Sequence, residues 1–437
     1  MRILLGILLL VLLLPLLFFN RVGTPLANHK PADDPEWSWS RWFNGDFQKD
    51  AADRLNEQFG GRNTLVRLNN QKEYSLFDIA TARDVVIGKE GYLYEDTYLN
   101  TVTGRNYQGS KHFDKMGTKL ALVRDSLAAR GVDLLVVMAA GKGTYYPEYF
   151  PAAWDGLPPD RTNEGELLRI LEEQNISYLN FNAWFKEMKD TVQYPLFPKA
   201  GIHWTKYGQY LVMDSLLNYL EQRHEMDLPD LVLDSIEVTA EQRGSEADIF
   251  RGLNILEEPS GFPLAYPTWH VEHPDKEQLK TLVIGDSFYW SLYLHQQFSK
   301  KFLGNGEFWY YFNRVMWNGQ DDGPINDVQL PEDLLGYKQV ILFETESHYH
   351  RLSNGFLEAA VAGFVTGSSK EKSILVDEDD ILATMEQIRK TPKWLEQVSK
   401  KAVKSNRLLE DALHNEARFY LEERIRKKRL RRAQNRK

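Results

Sequence analysis

Two stretches of this sequence carry residues that could perform nucleophilic chemistry together. Ser287 ends the tripeptide Gly-Asp-Ser at 285–287, which follows an apolar run and precedes an aromatic, helix-forming segment. A serine at such a strand-to-helix turn lies beside free helix N-terminal amides, which stabilise negative charge. Serine needs a base to remove its proton, and His203, in the Gly-Ile-His-Trp loop 201–204, is the candidate. Each motif alone also fits an ordinary turn or a packed core histidine, but together they predict acyl transfer.

Alternating strand and helix patterns around these motifs predict an α/β fold. The continuous apolar runs 132–138, 282–284 and 339–343 are typical of strands buried in a parallel sheet. Apolar periodicity predicts helices at 111–129, 164–173 and 207–221, and further strands are expected at 176–181, 308–312 and 374–376. An apolar run, a Gly-Lys-Glu-Gly turn and an aromatic run predict a hairpin over 85–94.

Composition excludes several classes of function. The 437 residues include no cysteine, so disulfides, thiolate metal sites and cysteine nucleophiles are ruled out. The net charge is −9 although the last seventeen residues are strongly basic, so the rest of the chain is acidic and nucleic acid is not an expected partner.

The two ends of the chain differ from its centre. Residues 3–19 are uncharged and almost entirely apolar, which favours a signal anchor over 1–22 rather than a cleaved signal peptide. Arg2 favours a cytoplasmic N-terminus with the remainder exported, and 23–70 is interpreted as a juxtamembrane linker and helix. Residues 378–437 are expected to form a helical basic tail, either a clamp on anionic lipid or acidic polysaccharide or a solvated helix end.

Several motifs in order along the chain resemble the AlgX/AlgJ-like SGNH-hydrolase-like family, the alginate O-acetyltransferases also described as Asp-His-His-Trp (DHHW) proteins. The similarity covers Phe-Gly-Gly-Arg at 59–62, the hairpin 85–94, and Lys142 with Tyr-Pro-Glu-Tyr-Phe-Pro at 146–151. The His203-Trp204 pair and the Gly-Asp-Ser tripeptide complete it. The resemblance implies an SGNH-like domain over 71–377, in which 224–278 is interpreted as an insertion.

What the resemblance implies about function is specific. Ser287 would be the nucleophile and His203 the general base of a transferase that moves acetyl groups onto hydroxyls of an exported or cell-envelope polysaccharide, as in alginate biosynthesis. A membrane O-acyltransferase partner would hand over the acetyl group, and no cofactor is expected. The protein would lie in the bacterial inner membrane with a periplasmic domain, or be secreted to the periplasm.

One position departs from the family pattern. The family has Asp two residues before the histidine, where this chain has Gly201. A carboxylate from elsewhere could replace it, with Asp286, Glu344, Glu346 and Asp248 as unranked candidates. The alternatives are a Ser-His dyad held by a backbone carbonyl, or a catalytically inactive glycan-binding scaffold.

The remaining site residues are assigned by position. Oxyanion donors are expected from the amide of Ser287 or Phe288 and from the side chain of Asn313, while Lys142 and Trp204 are predicted substrate contacts. Residues 344–350 hold two carboxylates and two histidines at a strand end; a substrate-contacting loop is favoured there over a metal site. A carbohydrate acetylesterase would use the same chemistry toward water.

Overall fold

The computed structural model of the chain describes residues 6–7, 24–29, 31–58, 61–154, 161–257, 261–304, 306–366, 378–404 and 409–435. The predicted signal anchor over 1–22 lies outside the described residues apart from 6 and 7, and so does the strand expected at 374–376. Within the described ranges, no helix is both long and apolar enough to cross a bilayer.

A seven-stranded mixed sheet forms the centre of the molecule, with strand order β10-β9-β8-β7-β11-β3-β4. The five neighbouring strands β8, β7, β11, β3 and β4 run parallel to one another. Beyond β8, β9 and β10 continue the sheet as antiparallel strands. Two antiparallel pairs lie apart from this sheet: the short strands β1 and β2, and the longer strands β5 and β6. The strands are β1 Val85–Ile87, β2 Leu93–Glu95, β3 Asp133–Ala139, β4 Tyr178–Asn180, β5 Asp230–Thr239, β6 Leu264–Glu272, β7 Thr281–Gly285, β8 Glu307–Tyr310, β9 Arg314–Trp317, β10 Gln320–Pro324 and β11 Gln339–Thr345.

Helices flank the sheet and extend from both ends of the chain. The α-helices from residue 39 onward are α1 Trp39–Asn44, α2 Asp46–Gln58, α3 Arg62–Phe77, α4 Asp96–Val102, α5 Ser110–Ala128, α6 Lys142–Tyr145, α7 Asn163–Glu173, α8 Phe181–Met188, α9 Lys206–His224, α10 Asp248–Leu253, α11 Ser287–Trp290, α12 Phe298–Phe302, α13 Phe356–Thr366, α14 Glu378–Lys390, α15 Pro392–Lys404 and α16 Leu409–Asn435. The last three pack on one another through a small apolar cluster of their own.

Both faces of the sheet are buried, which explains the uninterrupted apolar runs of its central strands. Alternate residues of β3 enter two different cores: Leu135 and Val137 join the side covered by α8 and α9, while Leu134 and Val136 join the side covered by α5, α7 and α13. A strand with apolar neighbours on both faces has no polar positions to alternate, as predicted for a parallel sheet.

The predicted α/β class and the expected strands and helices within the described ranges are confirmed, with ends shifted by a few residues. The antiparallel strands β9 and β10 and the ribbon formed by β5 and β6 were not predicted, because their sequences lack a strong apolar alternation. The loop between β5 and β6 proves important, since it crosses to the carboxyl edge of the sheet and reaches the site.

Candidate active site

Ser287 lies at the carboxyl end of β7, where the strand turns directly into α11. Asp286 is the N-cap of that helix and accepts the Phe288 N–H through Oδ1 at 2.9 Å. Gly285 is required at the end of the strand, because a Cβ there would lie 2.3 Å from the carbonyl oxygen of Phe343 on β11. Close strand packing and a side-chain cap therefore fix the serine hydroxyl at the edge of the sheet.

His203 bridges Ser287 to a carboxylate. Its Nε2 lies 3.1 Å from Ser287 Oγ, and its Nδ1 lies 2.5 Å from Asp248 Oδ2. Asp248 begins α10 and also accepts the Ile202 N–H at 3.0 Å through its other oxygen. With Nδ1 donating to Asp248, Nε2 is left to accept the serine proton, which is the arrangement that a serine nucleophile requires.

Position 201 has no room for the family's aspartate. A Cβ on Gly201 would lie 2.6 Å from the Ser245 carbonyl oxygen and 2.7 Å from that of Glu246. These residues belong to the turn just before Asp248, so the segment that fills this space also supplies the carboxylate. Of the four unranked candidates, Asp248 is the one that the structure brings to His203.

The charge state of this pair follows from its surroundings. Burial alone lowers the pKa of His203, but the Asp248 charge and hydrogen bond outweigh burial and hold that pKa above its ordinary value. Burial raises the pKa of Asp248, and the opposite charge of His203 and the hydrogen bonds reverse this effect, so Asp248 remains ionised. An ionised acid beside the ring stabilises the imidazolium that forms when serine loses its proton.

The other three carboxylates serve different partners, which corrects their candidacy as the orienting acid. Asp286 caps α11, Glu344 accepts from the Asn354 amide at 2.7 Å, and Glu346 accepts the Gly143 N–H at 2.9 Å and the Thr144 hydroxyl. Burial raises the pKa of Glu346 to about 7 and that of Glu344 to about 8.

Lys142 and Trp204 are also corrected, because both side chains are fully buried and cannot touch a substrate. The Lys142 ammonium donates to the carbonyl oxygens of Leu93, Lys199 and Gly201 at 2.7–2.9 Å. Trp204 donates its indole N–H to Ser291 Oγ at 2.8 Å. Both residues therefore hold the loop that carries His203. The sequence could not separate this supporting role from substrate binding, because a Lys or a Trp next to a motif suits either.

The oxyanion assignments change as well. The Phe288 N–H is occupied by Asp286, so the Ser287 N–H is the remaining predicted amide at this helix end. Asn313 is exposed in the turn between β8 and β9, where its backbone N–H bonds the Tyr310 carbonyl at 3.0 Å. Sequence reasoning missed Tyr311, whose phenol lies beside the Ser287 side chain. Its position just after a strand that neighbours β7 was the signal that could have identified it.

Tyr311 is held in an unusual backbone conformation. Its φ is 49° and that of Phe312 is 45°, both in the left-handed region that non-glycine residues seldom adopt. The Tyr311 N–H bonds the Gly285 carbonyl at 2.8 Å, which pins the turn against the end of β7. Strain of this kind clusters at functional sites because the surrounding structure must enforce it.

A second histidine, His348, contacts Asp286, the residue that precedes Ser287. His348 Nδ1 is 3.0 Å from Asp286 Oδ2 and 3.5 Å from Glu344 Oε2, and its ring packs edge-on against Tyr311. The ligand atoms of these three groups are close enough to hold a metal ion. Asp286 Oδ2, however, already accepts from the Thr345 N–H and hydroxyl at 2.8 and 2.6 Å, and a ring proton accounts for the contacts of His348.

The sheet with its carboxyl-edge Ser-His-Asp group defines an SGNH-hydrolase-like α/β domain. Residues 85–250 match the family model described as the SGNH hydrolase-like domain, acetyltransferase AlgX, so the resemblance predicted from the motifs is confirmed. The matched range contains His203 and Asp248 and ends before Ser287.

Three solved structures illustrate what this chain is similar to. The O-acetyltransferase domain of Pseudomonas putida AlgJ is 15% identical over 64% of this chain and 99% of that domain, with a TM-score of 0.43. Pseudomonas aeruginosa AlgX is 16% identical over 67% of this chain and 69% of its own, with a TM-score of 0.42. Bacillus cereus PatB1 is 11% identical over 61% and 96%, with a TM-score of 0.38. Comparison with curated proteins finds no significant match.

Proposed function

We propose that this chain is an O-acetyltransferase that moves acetyl groups onto hydroxyls of an exported or cell-envelope polysaccharide through an acyl-enzyme on Ser287. The observation that carries the proposal is the continuous hydrogen-bonded series from Asp248 through His203 to Ser287. The resemblance to the AlgX family is the basis for proposing acetyl as the transferred group and a polysaccharide as the acceptor. The contact between His203 Nδ1 and Asp248 supports an active enzyme over an inactive glycan-binding scaffold, although Gly201 stands where the family has Asp.

In the first half of the reaction, Ser287 Oγ attacks the carbonyl carbon of an acetyl ester or thioester donor. The hydroxyl proton passes to His203 Nε2 and the carbonyl electrons move onto oxygen. When the tetrahedral intermediate collapses, the donor's C–O or C–S bond breaks and His203 returns the proton to the leaving group. Asp248 stabilises the transient imidazolium throughout.

In the second half, a sugar hydroxyl attacks the acetyl-serine and gives its proton to His203. The bond between Ser287 Oγ and the acetyl carbon breaks, and the proton returns to Ser287. The Ser287 N–H and the Tyr311 hydroxyl are the donors proposed to stabilise the oxyanion in both halves.

The cellular setting is also part of the proposal. The apolar segment 3–19 supports a single-pass anchor in a bacterial inner membrane with the domain in the periplasm, or secretion to the periplasm. The family resemblance supports a membrane O-acyltransferase as the donor partner. Hydrolysis by a carbohydrate acetylesterase is the competing outcome, since water can replace the sugar hydroxyl in the second half.

The test uses full-length protein in detergent with an acetyl-ester reporter, with and without oligosaccharide acceptors. We expect ester cleavage by the wild type and loss of nearly all of it in Ser287→Ala and His203→Ala. Acceptor-dependent formation of acetylated oligosaccharide, detected by mass spectrometry, supports transfer, and acetate release alone supports the esterase. Equal background rates in the wild type and both variants would refute catalysis.

A further inference from the structure

The second histidine, His348, lies in a pocket that the Ser-His-Asp group does not explain. Its partners Asp286 and Glu344 are fully buried, and only 14% of the His348 side chain is exposed. Glu344 Oε2 has no other hydrogen-bond partner among the described residues, so this oxygen faces the ring alone. A buried carboxylate pair of this kind needs a cation or a proton.

The Asp286 carboxylate places a negative charge next to Ser287. Asp286 immediately precedes Ser287, and its charge reaches both His203 and Tyr311, the two groups that flank the serine hydroxyl. A like charge in a poorly solvated site opposes the build-up of negative charge nearby. An unneutralised Asp286 would therefore oppose both deprotonation of Ser287 and formation of the oxyanion.

We propose that His348 is the counter-cation of Asp286, a positioning residue whose positive charge allows negative charge to develop at Ser287. This inference rests on the acyl-enzyme function proposed above. The imidazolium donates Nδ1–H to Asp286 and supports the Tyr311 phenol from the side, with ring centroids 5.3 Å apart. His348 does not touch the reacting atoms, and acts on them through Asp286 and Tyr311.

The protonation of His348 follows from the groups that face it. Burial lowers its pKa, but the hydrogen bonds to Asp286 and Glu344 and their charges raise it to about 9. Burial raises the pKa of Asp286, but the hydrogen bond and positive charge of His348 and the two hydrogen bonds from Thr345 hold that pKa below its ordinary value. The titratable and charged groups around the ring are Asp286, Glu344, Tyr311, Glu95, His350 and Arg351.

The experiment measures the rate at which a fluorophosphonate probe labels Ser287 in the full-length protein between pH 6 and pH 10. His348→Gln should slow labelling roughly tenfold to a hundredfold, less than the 10²–10³ lost with a donor that touches an oxyanion directly. The wild-type rate should fall above the His348 pKa of about 9. His348→Arg keeps a fixed positive charge and should remove that alkaline decline.

Two further variants keep the test decisive. His350→Gln is the matched control, because it removes a neighbouring histidine whose pKa is lowered to about 4 by burial and which is therefore neutral. Glu344→Gln keeps an acceptor for Asn354 but removes a carboxyl group beside His348, so the alkaline decline should move to lower pH even if His348→Gln fails to fold. A merely structural role for His348 would not move this part of the pH profile.

The outcomes separate the two proposals. If Ser287 of the wild type is not labelled, the acyl-enzyme function fails and the inference fails with it. If labelling occurs but His348→Gln matches His350→Gln, and the alkaline decline is the same in the wild type, His348→Arg and Glu344→Gln, the function stands and the role of His348 is refuted.

Discussion

Ser287 lies between two histidine–carboxylate groups that use the same residue types for different purposes. His203 contacts Ser287 through one ring nitrogen and hydrogen-bonds Asp248 through the other. The Asp248 side chain is only partly buried. His348 hydrogen-bonds Asp286 and lies close to Glu344, both fully buried. The remaining bonds of Asp286 come from the Phe288 N–H and from Thr345. The first group can exchange protons with the serine, whereas the second can only supply charge. The position of a histidine relative to the serine, rather than its pairing with an acid, separates the two roles.

Removing the acid of the first group should have the largest effect. We expect Asp248→Asn to lower the turnover of an acetyl ester by about 10³–10⁴-fold, as when the orienting acid of a serine triad is replaced. The pH profile should change too. Asp248 keeps the pKa of His203 raised, so the wild-type ring retains its proton to higher pH and is inactive as a base there. Without Asp248 the acidic limb of the activity profile should move to lower pH.

The matched control for this variant is Asp230→Asn. Asp230, at the start of β5, pairs with His273 just after β6, with Nδ1 2.8 Å from Oδ2. The variant therefore alters another Asp–His pair, which is exposed and away from the site. Its activity and pH profile should equal those of the wild type. An unchanged profile in Asp248→Asn would show that the His203–Asp248 contact does not govern the reaction.

Tyr311 connects the two histidine groups, since it lies beside Ser287 and packs against His348. Tyr311→Phe removes only the hydroxyl, and we expect a loss of about 10²–10³-fold in turnover with little change in KM. Asn313→Ala, two positions further in the same turn, should retain wild-type turnover because Asn313 is exposed. The reverse result would restore Asn313 as the oxyanion donor and separate Tyr311 from the chemistry.

Restoring the family's aspartate at position 201 should destabilise the protein rather than help it. Gly201→Asp places a Cβ against the backbone carbonyls of Ser245 and Glu246, which cannot move without displacing Asp248. We expect a loss of about 1–3 kcal/mol in the free energy of unfolding by urea. Gly165→Asp is the control, because its Cβ meets an ordinary contact at 3.4 Å in the first turn of α7. Rescue of Asp248→Asn by Gly201→Asp would contradict this account of the site.

The sequence alone determined the class of the fold and two of the three residues in the hydrogen-bonded series. Continuous apolar runs require burial on both faces, so β3, β7 and β11 could be assigned to a parallel sheet, and the Gly-Asp-Ser and His-Trp motifs identified Ser287 and His203. The catalytic roles of these residues stay predictions until the variants are measured.

Only the tertiary structure decided which acid orients His203 and which motif residues are buried supports. Asp248 lies 45 positions from His203 in the chain, and its approach depends on how the segment between β5 and β6 folds over Gly201. Local patterns carry no information about such a contact, because it is set by packing between distant segments. The same reason applies to Lys142 and Trp204, whose residue types suit either a ligand contact or a core, and to the placement of His348 beside Asp286.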